Sequence, residues 1–302
     1  MRSRLPTVAL GSAVVAVVPY ITLKLMWLGG STIGLKTDAG VSEIHGTRMV
    51  VGNEVTIVLE VLAVGLAAAL TRPWGMRVPA WVIVVLGGGA TGLLAPILLG
   101  MPLGSMLQLL VSGDLHTSGM DEMRPWVFAV VYGGFGVLAV AIAVLAGRYV
   151  VQRWGRLLRR PPRPPAVWAI TVGALGLLPF AAIMIWWGVL GPGGSGPQGM
   201  EAPVQRTVLV VTGLLALGGF LTPLVGRAFA RQPRLAWLIA WCGCTTVALQ
   251  GPTEVLLANG GDPTPAVTLI AFVTAPGSCV YGLAVLRGRI SQRCAGRDPL
   301  RN

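Results

Sequence analysis

The chain has 302 residues, 11% of them charged and 54% apolar, with a mean hydropathy of +0.74. Soluble domains carry roughly 25% charged residues, so the composition excludes an ordinary water-soluble enzyme or binding domain and is that of a chain built for lipid. The formal net charge of +12 does not require nucleic acid, because the basic residues divide by position along the chain, as set out below.

A hydrocarbon core about 30 Å thick takes about 20 apolar residues per helix. Eight stretches reach that length: 7–28, 49–71, 79–100, 125–147, 166–188, 206–226, 235–253 and 265–286. The runs are continuous rather than alternating, and backbone facing lipid must be hydrogen-bonded within its own segment, so each is expected to be a helix. The first follows Arg2 and Arg4 as a signal peptide would, but it has full spanning length, no small-x-small cleavage site and a second copy later in the chain, so it reads as a retained helix. Within it Ala13, Ala16, Tyr20, Lys24 and Trp27 form one stripe. In the second, Asn53, Thr56, Glu60, Ala63 and Ala67 form a small and polar stripe, with Glu54 about 100° away from Asn53.

The third stretch is glycine-rich at 86–92 and is followed by MPLGSMLQLLVSG, 101–113. That segment is too short to span and reads as an outer interfacial or re-entrant helix. After the fourth comes RYVVQRWGRLLRRPPRPP, 148–165, in which Val150, Val151, Trp154, Leu157 and Leu158 would share one helical side before four prolines stop the helix. It is expected to lie along the inner leaflet, with Arg148 to Arg163 binding anionic lipid at about 1 kcal/mol per basic residue. Glycines at 213–219 and prolines Pro179, Pro223 and Pro276 within later helices suit close packing and kinks.

The two halves repeat. Pro19–Trp27, PYITLKLMW, matches Pro179–Trp187, PFAAIMIWW. Ala80–Pro96 aligns without a gap to Ala236–Pro252, keeping Ile83/Ile239, Gly87/Gly243 and Leu93/Leu249 in step, and Pro125 and Pro265 each open a later run. The expected fold is therefore an all-α integral membrane protein of eight helices in two four-helix units, 1–147 and 166–286, joined by the basic linker 148–165 and ending in a basic tail, 287–302. Because four is even, both units enter from the same side and are related by an axis along the membrane normal, with a substrate path between them.

The segment PYITLKLMWLGG, Pro19 to Gly30, resembles a motif of multi-pass membrane proteins from high-GC Gram-positive bacteria. The resemblance covers one helix and its outer turn, and its lysine and tryptophan match Lys24 and Trp27, whereas the second copy has Met184. It implies a bacterial inner-membrane location and carries no chemistry. The preference for arginine over lysine, 21 to 2, agrees with such a source. With the N-terminus cytoplasmic, 18 basic residues fall in inner segments and only Lys36, Arg48, Arg124 and Arg206 outside, as the positive-inside rule requires. Both termini are then cytoplasmic, and Asp38, Glu43, Asp114, Asp121, Glu122, Glu201, Glu254 and Asp262 lie outside.

Ionisable residues inside an apolar span cost about 2.5–3.5 kcal/mol each on insertion scales and mark candidate sites. Lys24 and Glu54 have similar expected depths and read as an ion pair, an outer gate or orienting pair, with Asn53, Thr56, Tyr20 and Trp27 completing a substrate-binding set. Glu60 lies about 9 Å deeper than Glu54. There burial disfavours the charged form, leaving a carboxylic acid that can relay a proton, act as a general acid, or hydrogen-bond to Thr245, Thr246 or a carbonyl freed by Pro276. His45 and His116 with Asp114, Asp121 and Glu122 lack metal-ligand spacing and read as a solvated outer loop, so no metal is expected. Cys242, Cys244, Cys279 and Cys294 read as unlinked thiols. No phosphate loop, dinucleotide fingerprint or aspartate-rich diphosphate motif is present, and no cofactor is expected. Three functions fit: movement of a small or lipophilic molecule, with proton coupling through Glu60; an embedded enzyme using Glu60 as general acid on an isoprenoid or lipid; or a non-catalytic subunit holding a protein partner through its basic cytoplasmic face.

Overall fold

A computed structural model describes residues 4–117, 119–256 and 263–295. Expectations about Arg2, Asp262, Arg297 and Arg301 lie outside the described residues. The helices are α1 (Leu5–Leu28), α2 (Asp38–Ile44), α3 (Thr47–Thr71), α4 (Ala80–Ser112), α5 (Gly119–Glu122), α6 (Pro125–Trp154), α7 (Val167–Leu190), α8 (Pro203–Leu224), α9 (Pro233–Leu256) and α10 (Pro265–Ala295). Four of the long ones open on proline, which fits the first helical turn because its missing N–H would have no intrahelical partner there. Among the described residues extended pairing is confined to one bridge, between Leu35 and Met123.

Among the described residues seven helices are long and apolar enough to cross a membrane: α1, α3, α4, α6, α7, α8 and α10, the last over Pro265–Gly288. The protein is thus a multi-pass membrane protein in a lipid bilayer. Large apolar side chains such as Val15, Val167, Leu269 and Phe272 stand on its outer surface, where lipid replaces the protein core. The expected span at 235–253 is helical but falls short in hydropathy. Gln250, Thr245, Thr246 and Thr253 dilute α9, and they can do so because it packs against α4, α7, α8 and α10 and presents less surface to lipid.

In the second half α7 packs on α8 and α10, and α9 closes the ring between them. Leu177, Phe180, Met184, Trp187, Leu209, Ala216 and Tyr281 fill its core. In the first half α1 packs on α3 and α6 around Ala13, Val17, Leu66, Leu138, Ile142 and Leu145. The fourth member, α4, leans away from α3 and makes its most extensive contacts with α8 and α9. Its buried residues Gly88, Gly92, Pro96, Gly100, Gly104 and Gln108 recur every fourth position and form one stripe. A Cβ on Gly92 would sit 2.3 Å from the Thr245 carbonyl oxygen, and one on Gly104 2.6 Å from that of Val204. Only a residue without a side chain lets these backbones approach so closely.

Two expectations about connecting segments are corrected. Residues 101–113 are not a separate re-entrant helix: all but Gly113 continue α4, which at 33 residues is about 50 Å long. It runs on because its small-residue stripe continues through Gly100 and Gly104 along α8, and it ends where Gly113 takes φ +76°, a left-handed conformation that closes the helix. Gln108 fixes this C-terminal end of α4, its amide donating to the His116 carbonyl at 2.6 Å and its oxygen accepting from the Val204 N–H at 3.2 Å. Residues 148–154 likewise belong to α6 rather than to a helix of their own. Tyr149 is buried and donates to the Gly75 carbonyl at 2.9 Å, and Arg153 donates to Tyr149 and to the Val78 carbonyl, so this turn is docked on the loop between α3 and α4. Beyond it Leu158 enters the second core, the Trp237 indole donates to the Arg160 carbonyl at 2.9 Å, and Arg156, Arg159 and Arg160 stay exposed.

Candidate functional site

Among the described residues a buried ion pair lies where α1 meets α3. Lys24, fully buried on the stripe that also carries Ala13, Val17 and Trp27, forms an ion pair with Glu60, whose side chain is 5% exposed. Its ammonium stands 3.7 Å from the centre of the Tyr20 ring, one turn earlier in α1, and that ring meets Phe135 of α6 edge to face at 5.6 Å. Lys24 is therefore held by a carboxylate and an aromatic face together. Only one Glu60 oxygen is used. Among the described residues nothing donates to Oε2, and the buried Asn53 amide nitrogen and Thr246 hydroxyl are also without partners.

This pairing corrects the expected Lys24–Glu54 contact. Glu54 is exposed. Six residues separate it from Glu60, which puts the two on faces about 120° apart, and the face toward α1 is the one with Asn53 and Glu60. The alternative partners for Glu60 are corrected too, since Thr245 donates to the carbonyls of Trp241 and Cys242 and Thr246 makes no hydrogen bond.

Glu60 also lies on the wall of a cavity of about 780 Å³ bounded by α3, α4 and α6 on one side and α8, α9 and α10 on the other. The lining is overwhelmingly apolar. Its polar members gather on α9 and nearby: Gln250 donates to the Gly92 carbonyl at 3.0 Å, Trp241 to the Thr91 hydroxyl at 3.1 Å, and Glu254 occupies the last turn of α9. Tyr132 of α6 also lines the cavity, stacked on Phe128 at 6.2 Å between ring centres.

The remaining sequence candidates separate into those near the cavity and those with structural work. Thr56 lines the cavity and returns its hydroxyl to the Gly52 carbonyl at 2.7 Å. Trp27 is buried outside the cavity and donates to the Ile33 carbonyl at 2.9 Å, pinning the turn after α1. His45 contacts the Trp27 carbonyl at 3.2 Å, while His116 pairs with Asp121 at 3.1 Å, both exposed, so the two imidazoles serve different contacts. Cys242, Cys244 and Cys279 are free thiols. Glu254 and Tyr132 were not among the sequence candidates. The signal for Glu254 is its spacing of four from Gln250, which continues a polar face of α9 past Pro252.

At the end of the bundle that carries the C-terminus of α1, the turn after α1 is clamped to α5. The Lys36 N–H donates to the Glu122 carbonyl at 2.8 Å, Arg124 N–H to that of Gly34 at 2.8 Å, and the Lys36 ammonium to that of Met120 at 2.7 Å. Glu43 and Glu122 meet there, and the hydrogen bond between the two carboxyls pushes Glu122 above the ordinary carboxylate range, with burial and the charges of Glu43 and Asp121 adding to the effect. Comparison with protein-family models, with curated proteins and with solved structures finds no match to this chain.

Proposed function

We propose that the protein binds a lipophilic small molecule in the cavity between two four-helix units and moves it across a bacterial inner membrane, with Glu60 as the group that the ligand or a proton engages. One observation carries the reading: an apolar space of about 780 Å³ has on its wall a buried carboxylate with an unused oxygen. A cavity of that size is in the range of small-molecule sites, where a few polar groups among apolar ones orient the ligand. Intramembrane carboxylates beside such a space suit proton-linked movement.

The 4+4 arrangement is supported by register and packing. Thr47 and Pro203, which open α3 and α8, stand 156 positions apart, as do Ala80 and Ala236 in α4 and α9. Trp27 and Trp187 are both buried, as are Val127 and Val267. With this register Met184 and Ala216, both in the second core, occupy the places of Lys24 and Glu60. The duplicated scaffold thus carries its ion pair in one copy only, and the candidate site lies in the first unit. Cytoplasmic termini follow from the arginine asymmetry, and exposed Arg148, Arg156, Arg159 and Arg160 form a basic strip for anionic lipid.

Mass spectrometry of small molecules co-purifying with wild type, Glu60→Gln and Ala248→Trp tests the reading. Ala248 lines the cavity from α9, a different helix from those of the ion pair, so the tryptophan fills the space without removing a charge. A defined lipophilic species retained by wild type and lost from both variants is expected. The same profile in all three overturns the cavity reading, and a chemically altered species in wild type replaces carriage by catalysis.

A further inference from the structure

We propose that the cavity is selective for a lipophilic cation, with Glu254 setting the sign of the preference and Glu60 Oε2 accepting a hydrogen bond when the ligand has a donor. The inference rests on the carrier reading for the cavity's role and adds the class of ligand. Among the described lining residues the only carboxylates are Glu60 and Glu254, and there is no lysine, arginine or histidine. The Glu60 charge is balanced by Lys24, which stands behind the wall and not on it. Glu254 has no ion-pair partner among the described residues, so in its ionised form, which a bound cation favours, it is the one uncompensated charge on the lining.

Aromatic rings complete the match. Tyr132, Phe135, Trp237 and Trp241 present π faces on the same lining as Glu254. Rings attract cations more strongly in a partly desolvated site than in water, and a single charge there also acts more strongly than in water. An apolar cation gains from the lining, from the rings and from Glu254. A neutral lipophile gains only from the lining. An anion of the same shape meets a carboxylate with nothing to offset it, and the buried Glu60 oxygen, which can only accept, offers it no donor.

The test uses a pair of probes alike in shape and opposite in charge, radiolabelled tetraphenylphosphonium and tetraphenylborate, with the full-length protein in detergent and binding to empty micelles subtracted. Saturable phosphonium binding at least about tenfold tighter than that of the borate is expected, together with about a tenfold loss in Glu254→Gln, the weakening that removal of one nearby charge produces in a partly solvated site. Glu254→Asp, which keeps the charge, should retain most of the affinity. Equal affinity for the two probes, or a Glu254→Gln protein that binds phosphonium as wild type does, overturns the proposal. If Glu254→Gln does not fold, the ratio of the two probes on wild type decides alone. In proteoliposomes, phosphonium that binds but exchanges no faster than in protein-free vesicles upholds the cation site and sinks the carrier reading. Exchange of a neutral lipophile with no preference for phosphonium does the reverse.

Discussion

Removing either member of the Lys24–Glu60 pair should cost far more than removing both. Both side chains are taken out of water, and breaking a buried pair by deleting one partner typically costs about 3–5 kcal/mol, because the other charge is stranded. A ceiling follows from the cost of neutralising the stranded group at pH 7. From ordinary pKa values of about 10.4 for lysine and 4.3 for glutamate, at 1.36 kcal/mol per unit, that ceiling is about 4.6 kcal/mol for lysine and about 3.7 kcal/mol for the carboxyl. Glu60→Gln should therefore lose about 4 kcal/mol, less whatever the Tyr20 face returns to the ammonium, and Lys24→Met about 3 kcal/mol. The double variant Lys24→Met/Glu60→Ala copies Met184 and Ala216, which pack in the second core without any charge. It should lie within about 1 kcal/mol of wild type, as apolar replacements of buried pairs often do. Unfolding of the three variants in mixed micelles, followed by tryptophan fluorescence, gives the coupling. A double variant as unstable as the sum of the singles, or a single variant costing under about 1 kcal/mol, would refute the argument.

Two further outcomes are expected. Gly92→Ala should destabilise by about 1–3 kcal/mol, the usual range for overpacking, because its Cβ would meet backbone of α9, whereas Gly89→Ala, with nothing within 4 Å, should be neutral; thermal denaturation of the purified pair checks the contrast. At the clamp on α5 the folded protein holds the Glu122 proton more tightly than the unfolded chain, so this contribution is complete below the ordinary value of 4.5 and fades as pH rises through the raised value. Protection of the Leu35 and Lys36 amides, taken relative to the intrinsic exchange rate at each pH, should fall across that range in wild type, and Glu122→Gln should flatten the dependence.

Rotation about a helix axis was readable from the sequence, and axial offset between helices was not. The stripe of Asn53, Thr56 and Glu60 does face protein, and Lys24 lies on the buried side of α1. Glu54 lies about 120° off the face toward α1, and the offset that brings Glu60 level with Lys24 goes with the turn at 29–46, which is bound to α5 and to Met123. Hydropathy located the membrane segments but misplaced the end of α4, because the apolar run past Pro96 gives no sign of where lipid stops. It also put Glu254 in solvent by ending a span at Pro252, although a proline within a helix only removes one hydrogen bond and α9 continues to Leu256. Long-range pairings such as Gln108 with the N-terminus of α8 have no local signature at all.

The attachment of α4 determines how the molecule can divide. By order along the chain it belongs with α1, α3 and α6, yet glycine-mediated backbone contact fastens it to α8 and α9. Mechanically the protein is three helices against five. On the carrier reading, widening the cavity next to Glu60 separates α3 and α6 from α4, and the proline-rich segment joining the two halves stays with the larger body, held by Leu158 and by the Trp237 hydrogen bond to Arg160. A tether placed between α3 and α4 is then expected to arrest movement of the ligand, while one placed between α4 and α8 leaves it unchanged.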